Sequence, residues 1–80
     1  MIRGIRGAIT IAEDKAEYVW GETARLVKEV AKQNNIEPEN IASVTISTTP
    51  DIHSAFPAKS VRTMPGWQFV PIMCMHEMDV

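Results

Sequence analysis

Residues 67–80 read WQFVPIMCMHEMDV. An apolar run follows the turn signal Pro65-Gly66 and ends abruptly in Cys74, His76, Glu77 and Asp79. A short apolar run bounded by a turn reads as a buried strand, here from Trp67 to about Met75. Such a strand can deliver polar groups from the core to a site at its end. Pro71 has no N–H, which points to an edge position or a bulge. Upstream, Ile41–Thr48 alternates Ala42, Val44 and Ile46 against Ser43, Thr45 and Ser47, a second strand. Between the two, Pro57 suits a first helical position. A short helix follows it with Ala58, Lys59, Val61 and Arg62; Lys59 and Arg62 are three apart and share a face.

Toward the N-terminus, Val19, Thr23, Leu26, Val27, Val30 and Ala31 recur at helical spacing and predict a buried stripe. Asp14 is the expected N-cap, with Glu17 three residues on as in a capping box. Asn34-Asn35 ends the helix, and Pro38 prevents its resumption. Trp20 and Tyr18 flank the stripe as packing residues. Met1–Ile11 reads as a first strand, with Ile5, Ile9 and Ile11 on one face. Arg6 lies on the other face between Gly4 and Ala8, which leave space beside its guanidinium. Gly4-x-x-Gly7 is too short a match for a phosphate-binding loop. The order strand, long helix, strand, short helix, strand is α/β, a mixed sheet in a single domain over residues 1–80.

Composition narrows the partners. A chain of 80 residues buries only about 60% of its unfolded surface, so oligomerisation would help it. A net charge of −2 disfavours nucleic acid. No stretch is long and apolar enough for a membrane span, and no signal peptide is expected. The single cysteine suits a reducing compartment, so a cytoplasmic protein is expected. The acids Glu13, Asp14, Glu17, Glu22, Glu29, Glu37 and Glu39 crowd the first half, a solvated helix face. Arg3, Arg6, Lys59 and Arg62 flank that stretch and could gather around a small anion.

Cys74, His76, Glu77, Asp79 and His53 invite a metal. However, no pair of cysteines or histidines has ligand spacing, and no metal is expected. Cys74 and His76 are two apart on a strand and point the same way, but no orienting third group is evident. Cys74 therefore reads as a buried structural thiol on sequence grounds. Glu77, just past the apolar run, is either an exposed end or a pocket acceptor.

The segments IRGIRGA (2–8), TPDIHSAFPAKSVR (49–62) and GWQFVPIMCMHEMDV (66–80) together resemble the AroH-class chorismate mutases, a trimeric α/β family. The resemblance covers the whole chain, with a divergent central helix. It implies a trimeric pseudo-barrel and a Claisen rearrangement of chorismate to prephenate without metal, cofactor or covalent intermediate. Catalysis of that kind is orientation plus fixed electrostatics. The resemblance matches Arg6 to a carboxylate-holding arginine, and Glu77 to the acceptor of the substrate hydroxyl. It places Cys74 near that hydroxyl and Phe56 at the apolar wall. Ala58, Lys59 and Arg62 fall at the pocket mouth, and Ile72 and Met73 at substrate-binding positions. Met73 departs from the small polar residue expected there. Arg6 and Glu77 would come from neighbouring subunits of a homotrimer.

The family also continues beyond the position of Val80, into a part with an arginine facing the ether oxygen and a tyrosine. The chain is therefore expected to be an N-terminal part, short of the roughly 10²–10³ in rate that one such donor supplies. Other readings are a non-catalytic trimeric module for small carboxylates and an imine deaminase of the RID type. The late arginine of the latter is not evident.

Overall fold

The long helix buries its stripe largely as the spacing predicts. In the computed structural model, which describes residues 3–78, helix α1 spans Ala16–Gln33. Val19 is fully buried on it, and the buried Thr23 hydroxyl donates to the Val19 carbonyl at 2.6 Å. Ala24, Val27 and Ala31 pack on a core of Val61, Met64, Trp67 and Val70. Burying one such valine, leucine or methionine side chain stabilises by about 1.5–3 kcal/mol. Helix α1 ends as Asn34-Asn35 suggests. Asn35 takes the left-handed conformation at φ 53°. The Ile36 N–H then reaches the Ala31 carbonyl at 2.9 Å, and the Asn35 N–H reaches that of Lys32 at 3.4 Å. This pair of bonds satisfies carbonyls that a helix end otherwise leaves open.

Strands β1 (Val44–Thr48) and β2 (Ile72–His76) pair in parallel. Val44 lies opposite Ile72, Ile46 opposite Cys74 and Thr48 opposite His76. Val44, Ile46 and Ile72 pack on the core. Parallel strands need a long crossover, and helix α2 (Ala58–Arg62) sits within it. Bonds from Val44 N–H to Pro71 O and from Glu77 N–H to Thr48 O, each 2.8 Å, extend the ladder at both ends.

Five expectations need correction. The first strand, expected from Met1 to Ile11, does not form: residues 3–10 are exposed, with no helical or strand structure. A strand needs a partner, and the sheet among the described residues contains only β1 and β2. Met1 and Ile2 lie outside the described residues. That sheet is purely parallel, where a mixed sheet was expected. The last strand begins at Ile72 rather than Trp67, because Gly66 turns the chain at φ 85°. Turns continue from there, with Trp67 N–H on Met64 O at 3.1 Å and Val70 N–H on Trp67 O at 3.2 Å. Trp67 and Val70 are therefore buried at a spacing of three, while Gln68 and Phe69 face out. Finally, Asp14 does not cap α1. Lys15 holds that position without a side-chain bond. The second strand also starts later than Ile41, because the 3-10 turn Pro38–Asn40 runs into it and Ile41 N–H bonds Pro38 O at 3.1 Å.

The N-terminal segment lies along α1 through Gly7. A Cβ built there would stand 2.7 Å from Val30 Cγ2 and 3.1 Å from Leu26 Cδ1, while one at Gly4 meets nothing within 4 Å. Valine is stiff at χ1 in a helix, so Val30 yields poorly. Gly7→Ala is expected to cost about 1–3 kcal/mol in urea unfolding, the usual overpacking range. Gly4→Ala is expected to stay within about 0.5 kcal/mol. Equal effects at both glycines would show that the segment does not pack on α1.

Candidate functional site

The connection from β1 to β2 carries most of the candidate residues, and α1 holds it from one side. The Asp14 carboxylate accepts the His53 N–H at 2.9 Å and the Ser54 N–H at 3.0 Å. The Ser54 hydroxyl, then the His53 and Ser54 amides, hold the Asp14 carboxyl below its ordinary 3.8. The residue read as a helix cap is thus a clamp on a loop some forty positions away in the chain (|i−j| 39 and 40). Within the same loop the Thr49 hydroxyl lowers the Asp51 carboxyl.

Phe56 and Pro57 lead into α2. The Phe56 carbonyl accepts two N–H groups at 3.2 Å, the amide of Lys59 and the indole Nε1 of Trp20. The Lys59 ammonium lies 4.5 Å from the centroid of the Trp20 ring. Trp20, Lys59, Ser60 and Thr63 line a depression of about 150 Å³. Phe56 itself is 79% exposed. Ala58 is half-buried, and Lys59 and Arg62 are exposed.

On β2, Ile72 and Cys74 are half-buried on the inner face, whereas Met73 and Met75 point outward. Glu77 is exposed just past the strand, its amide tied to Thr48. His76 Nε2 lies 3.0 Å from the Ile52 carbonyl. A carbonyl can only accept, so Nε2 carries the proton. The His76 ring also meets that of His53 edge-on at 6.0 Å. One of the two ring nitrogens of His76 is thus committed to the loop. Among the described residues no group of three or more His, Cys, Asp or Glu could hold a metal. Asp79 lies outside the described residues.

The chain thus brings Phe56, Ala58, Lys59 and Arg62 together on one loop and helix, and Ile72, Met73, Cys74 and Glu77 on one strand and its end. Arg6 stands apart, exposed on the N-terminal segment. A second depression, about 340 Å³, is lined by Ala8, Ile9, Arg25, Leu26 and Glu29; Arg6, Cys74 and Glu77 line neither one. The ion pairs among the described residues are Lys15–Glu13 and Arg25–Glu22, so Arg6, Lys59 and Arg62 have no described carboxylate partner. Sequence reasoning missed Asp14 and Trp20 as organisers of the loop. Their partners are backbone groups, which carry no residue-specific signal.

Comparisons with known proteins give four likenesses. The family model for chorismate mutase type I matches residues 2–80. Two relatives are chorismate mutases AroH. That of Bacillus subtilis (strain 168) is 48% identical over 80 residues, covering 100% of this chain and 63% of the relative. That of Thermus thermophilus is 40% identical over 81 residues, covering 100% of this chain and 66% of the relative. A solved chorismate mutase from Clostridium thermocellum superposes with a TM-score of 0.84 at 39% identity, over 89% of this chain and 62% of that one. The chain therefore spans less than two thirds of the length of these relatives.

The Asp14 clamp has a pH signature. Its folded pKa lies below the ordinary 3.8. Its stabilising contribution is therefore complete above about pH 4–5 and is lost as pH falls through the lower, folded value. Asp14→Asn is expected to speed amide exchange at His53 and Ser54 at neutral pH. In the parent protein the same two amides are expected to lose protection only under acid. Unchanged exchange at both, in the variant and at low pH, would remove the clamp from the account.

Proposed function

The chain belongs to the chorismate mutase type I family, and from that premise we propose that it serves the rearrangement of chorismate to prephenate, a step toward phenylalanine and tyrosine. The match of the family model across residues 2–80 carries this reading. The substrate is a dianion whose ether bond breaks as a carbon–carbon bond forms. No proton transfer or covalent adduct to the protein is needed. The protein's task is to hold the compact reactive shape and to set fixed charge against the charge that develops.

In this reading Arg6 binds a substrate carboxylate, and Glu77 accepts a hydrogen bond from the ring hydroxyl with Cys74 beside it. Phe56, Ala58, Ile72 and Met73 form the walls. Lys59 and Arg62 at the mouth attract the dianion. The exposure of Arg6, Glu77, Phe56 and Met73 in a single chain supports a pocket shared between neighbouring subunits of a homotrimer. So does the exposure of Phe69 at 95% and Met78 at 87%, large apolar side chains that a partner surface would cover. A soluble biosynthetic dianion as substrate fits a cytoplasmic enzyme. Among the described residues no helix is long and apolar enough to cross a membrane.

Loss of chorismate absorbance, together with a chorismate titration, tests the proposal. Arg6→Ala is expected to raise the dissociation constant about thirtyfold or more, since truncating one member of a desolvated charge pair costs about 2 kcal/mol or more. Lys59→Ala is expected to change affinity by less than about threefold but to flatten its dependence on salt. Absence of both turnover and binding in the parent protein would count against the function. Equal, negligible effects of the two substitutions would count against this arrangement of the pocket.

A further inference from the structure

Trp20 was read from sequence as a packing residue, yet two of its contacts go to residues proposed to meet the substrate. We propose that Trp20 is a positioning residue: its indole N–H holds the Phe56 carbonyl while its ring face holds the Lys59 ammonium, so that wall and mouth are set together. This rests on the chorismate reading of the site. The geometry forms a closed circuit. Trp20 Nε1 donates to Phe56 O at 3.2 Å, and the Lys59 amide donates to the same oxygen at 3.2 Å. The Lys59 side chain then returns over the Trp20 ring at 4.5 Å.

Each link constrains the next. The Phe56 carbonyl opens α2, which runs only from Ala58 to Arg62. A helix this short has little stability of its own, and its N-cap residue Pro57 offers no side-chain bond. The indole supplies a fixed point from α1, a much longer helix. A free lysine samples many rotamers. A cation over an indole face keeps its charge while losing much of that freedom. Lys59 has no carboxylate partner among the described residues, so the stack restrains it without neutralising it. An anion can therefore take up the ammonium without first breaking an ion pair with any described residue.

Two substitutions separate the roles. Trp20→Phe keeps a ring face and removes the donor; Trp20→Leu removes both. The first readout is the proton chemical shift of the Lys59 side-chain methylenes. Ring current moves them upfield in the parent protein and in Trp20→Phe, and they return to random-coil values in Trp20→Leu. The second readout is chorismate affinity against salt. Trp20→Phe is expected to weaken binding about threefold with the salt slope retained, and Trp20→Leu about tenfold or more with a flattened slope, from the usual worth of one neutral hydrogen bond and one exposed cation–π contact. In a Lys59→Ala background, the slope change from Trp20→Leu should vanish, whereas a purely structural role would leave it intact.

Lys59 methylenes at random-coil shifts in the parent protein would overturn the inference. So would Trp20→Leu binding chorismate as the parent does. Failure of the parent protein to bind chorismate would instead overturn the reading of the site, and this inference with it. If Trp20→Leu does not fold, the methylene shifts of the parent and the retained slope of Trp20→Phe still decide.

Discussion

Two parallel strands cannot be joined by a tight turn, and that constraint organises this chain. Because β1 and β2 run the same way, the polypeptide must leave the end of β1, cross the core and return to the start of β2. The crossover is where Val61, Met64, Trp67 and Val70 are buried. It is also where Phe56, Ala58, Lys59 and Arg62 are displayed. The buried core cluster and the Phe56–Arg62 part of the candidate site are thus opposite sides of one segment. A substitution that loosens Val61 beneath α2 would move Lys59 and Arg62 above it.

The crossover is short of regular structure. Between Thr48 and Ile72 the described helix is only Ala58–Arg62. Such a path needs anchors from elsewhere, and two come from α1 and the residues leading into it: Asp14, two residues before the helix, for the His53–Ser54 amides, and Trp20, in the second turn of α1, for Phe56. A third anchor comes from β2, through His76 to Ile52. All three fall on backbone groups of residues 52–56. The loop's path therefore depends on the residues that hold it more than on its own side chains.

That distribution explains what could be read in advance. The α1 stripe was legible because burial at helical spacing leaves a strong pattern, and the alternation of Val44 and Ile46 against Thr45 and Ser47 marked β1 equally well. Lys59 and Arg62 were legible as one cationic face. The Trp67–Val70 turns were not, since a buried apolar run has the same composition in a strand and in a chain of turns. Residues 3–10 read as a strand because alternation was present, but alternation cannot say whether a hydrogen-bonding partner exists. Asp14 fitted a capping box by spacing, yet the structure gives its carboxylate to the loop. A local pattern lost to a distant pair of backbone donors.

One consequence concerns how cations are kept ready. Arginine and lysine on a surface often pair with nearby carboxylates, and such exposed pairs contribute only about 0–1 kcal/mol. Here the acids are drawn elsewhere. Glu22 takes Arg25, Glu13 takes Lys15, Glu29 takes Gln33, and Asp14 takes backbone amides. On α1 itself, Glu22 is thus paired with Arg25 and Glu29 is hydrogen-bonded to Gln33. The Trp20 ring face attracts the Lys59 ammonium without cancelling its charge. A chain of net charge −2 can in this way present locally positive side chains to an anion, because what matters at a binding surface is which charges remain uncompensated there.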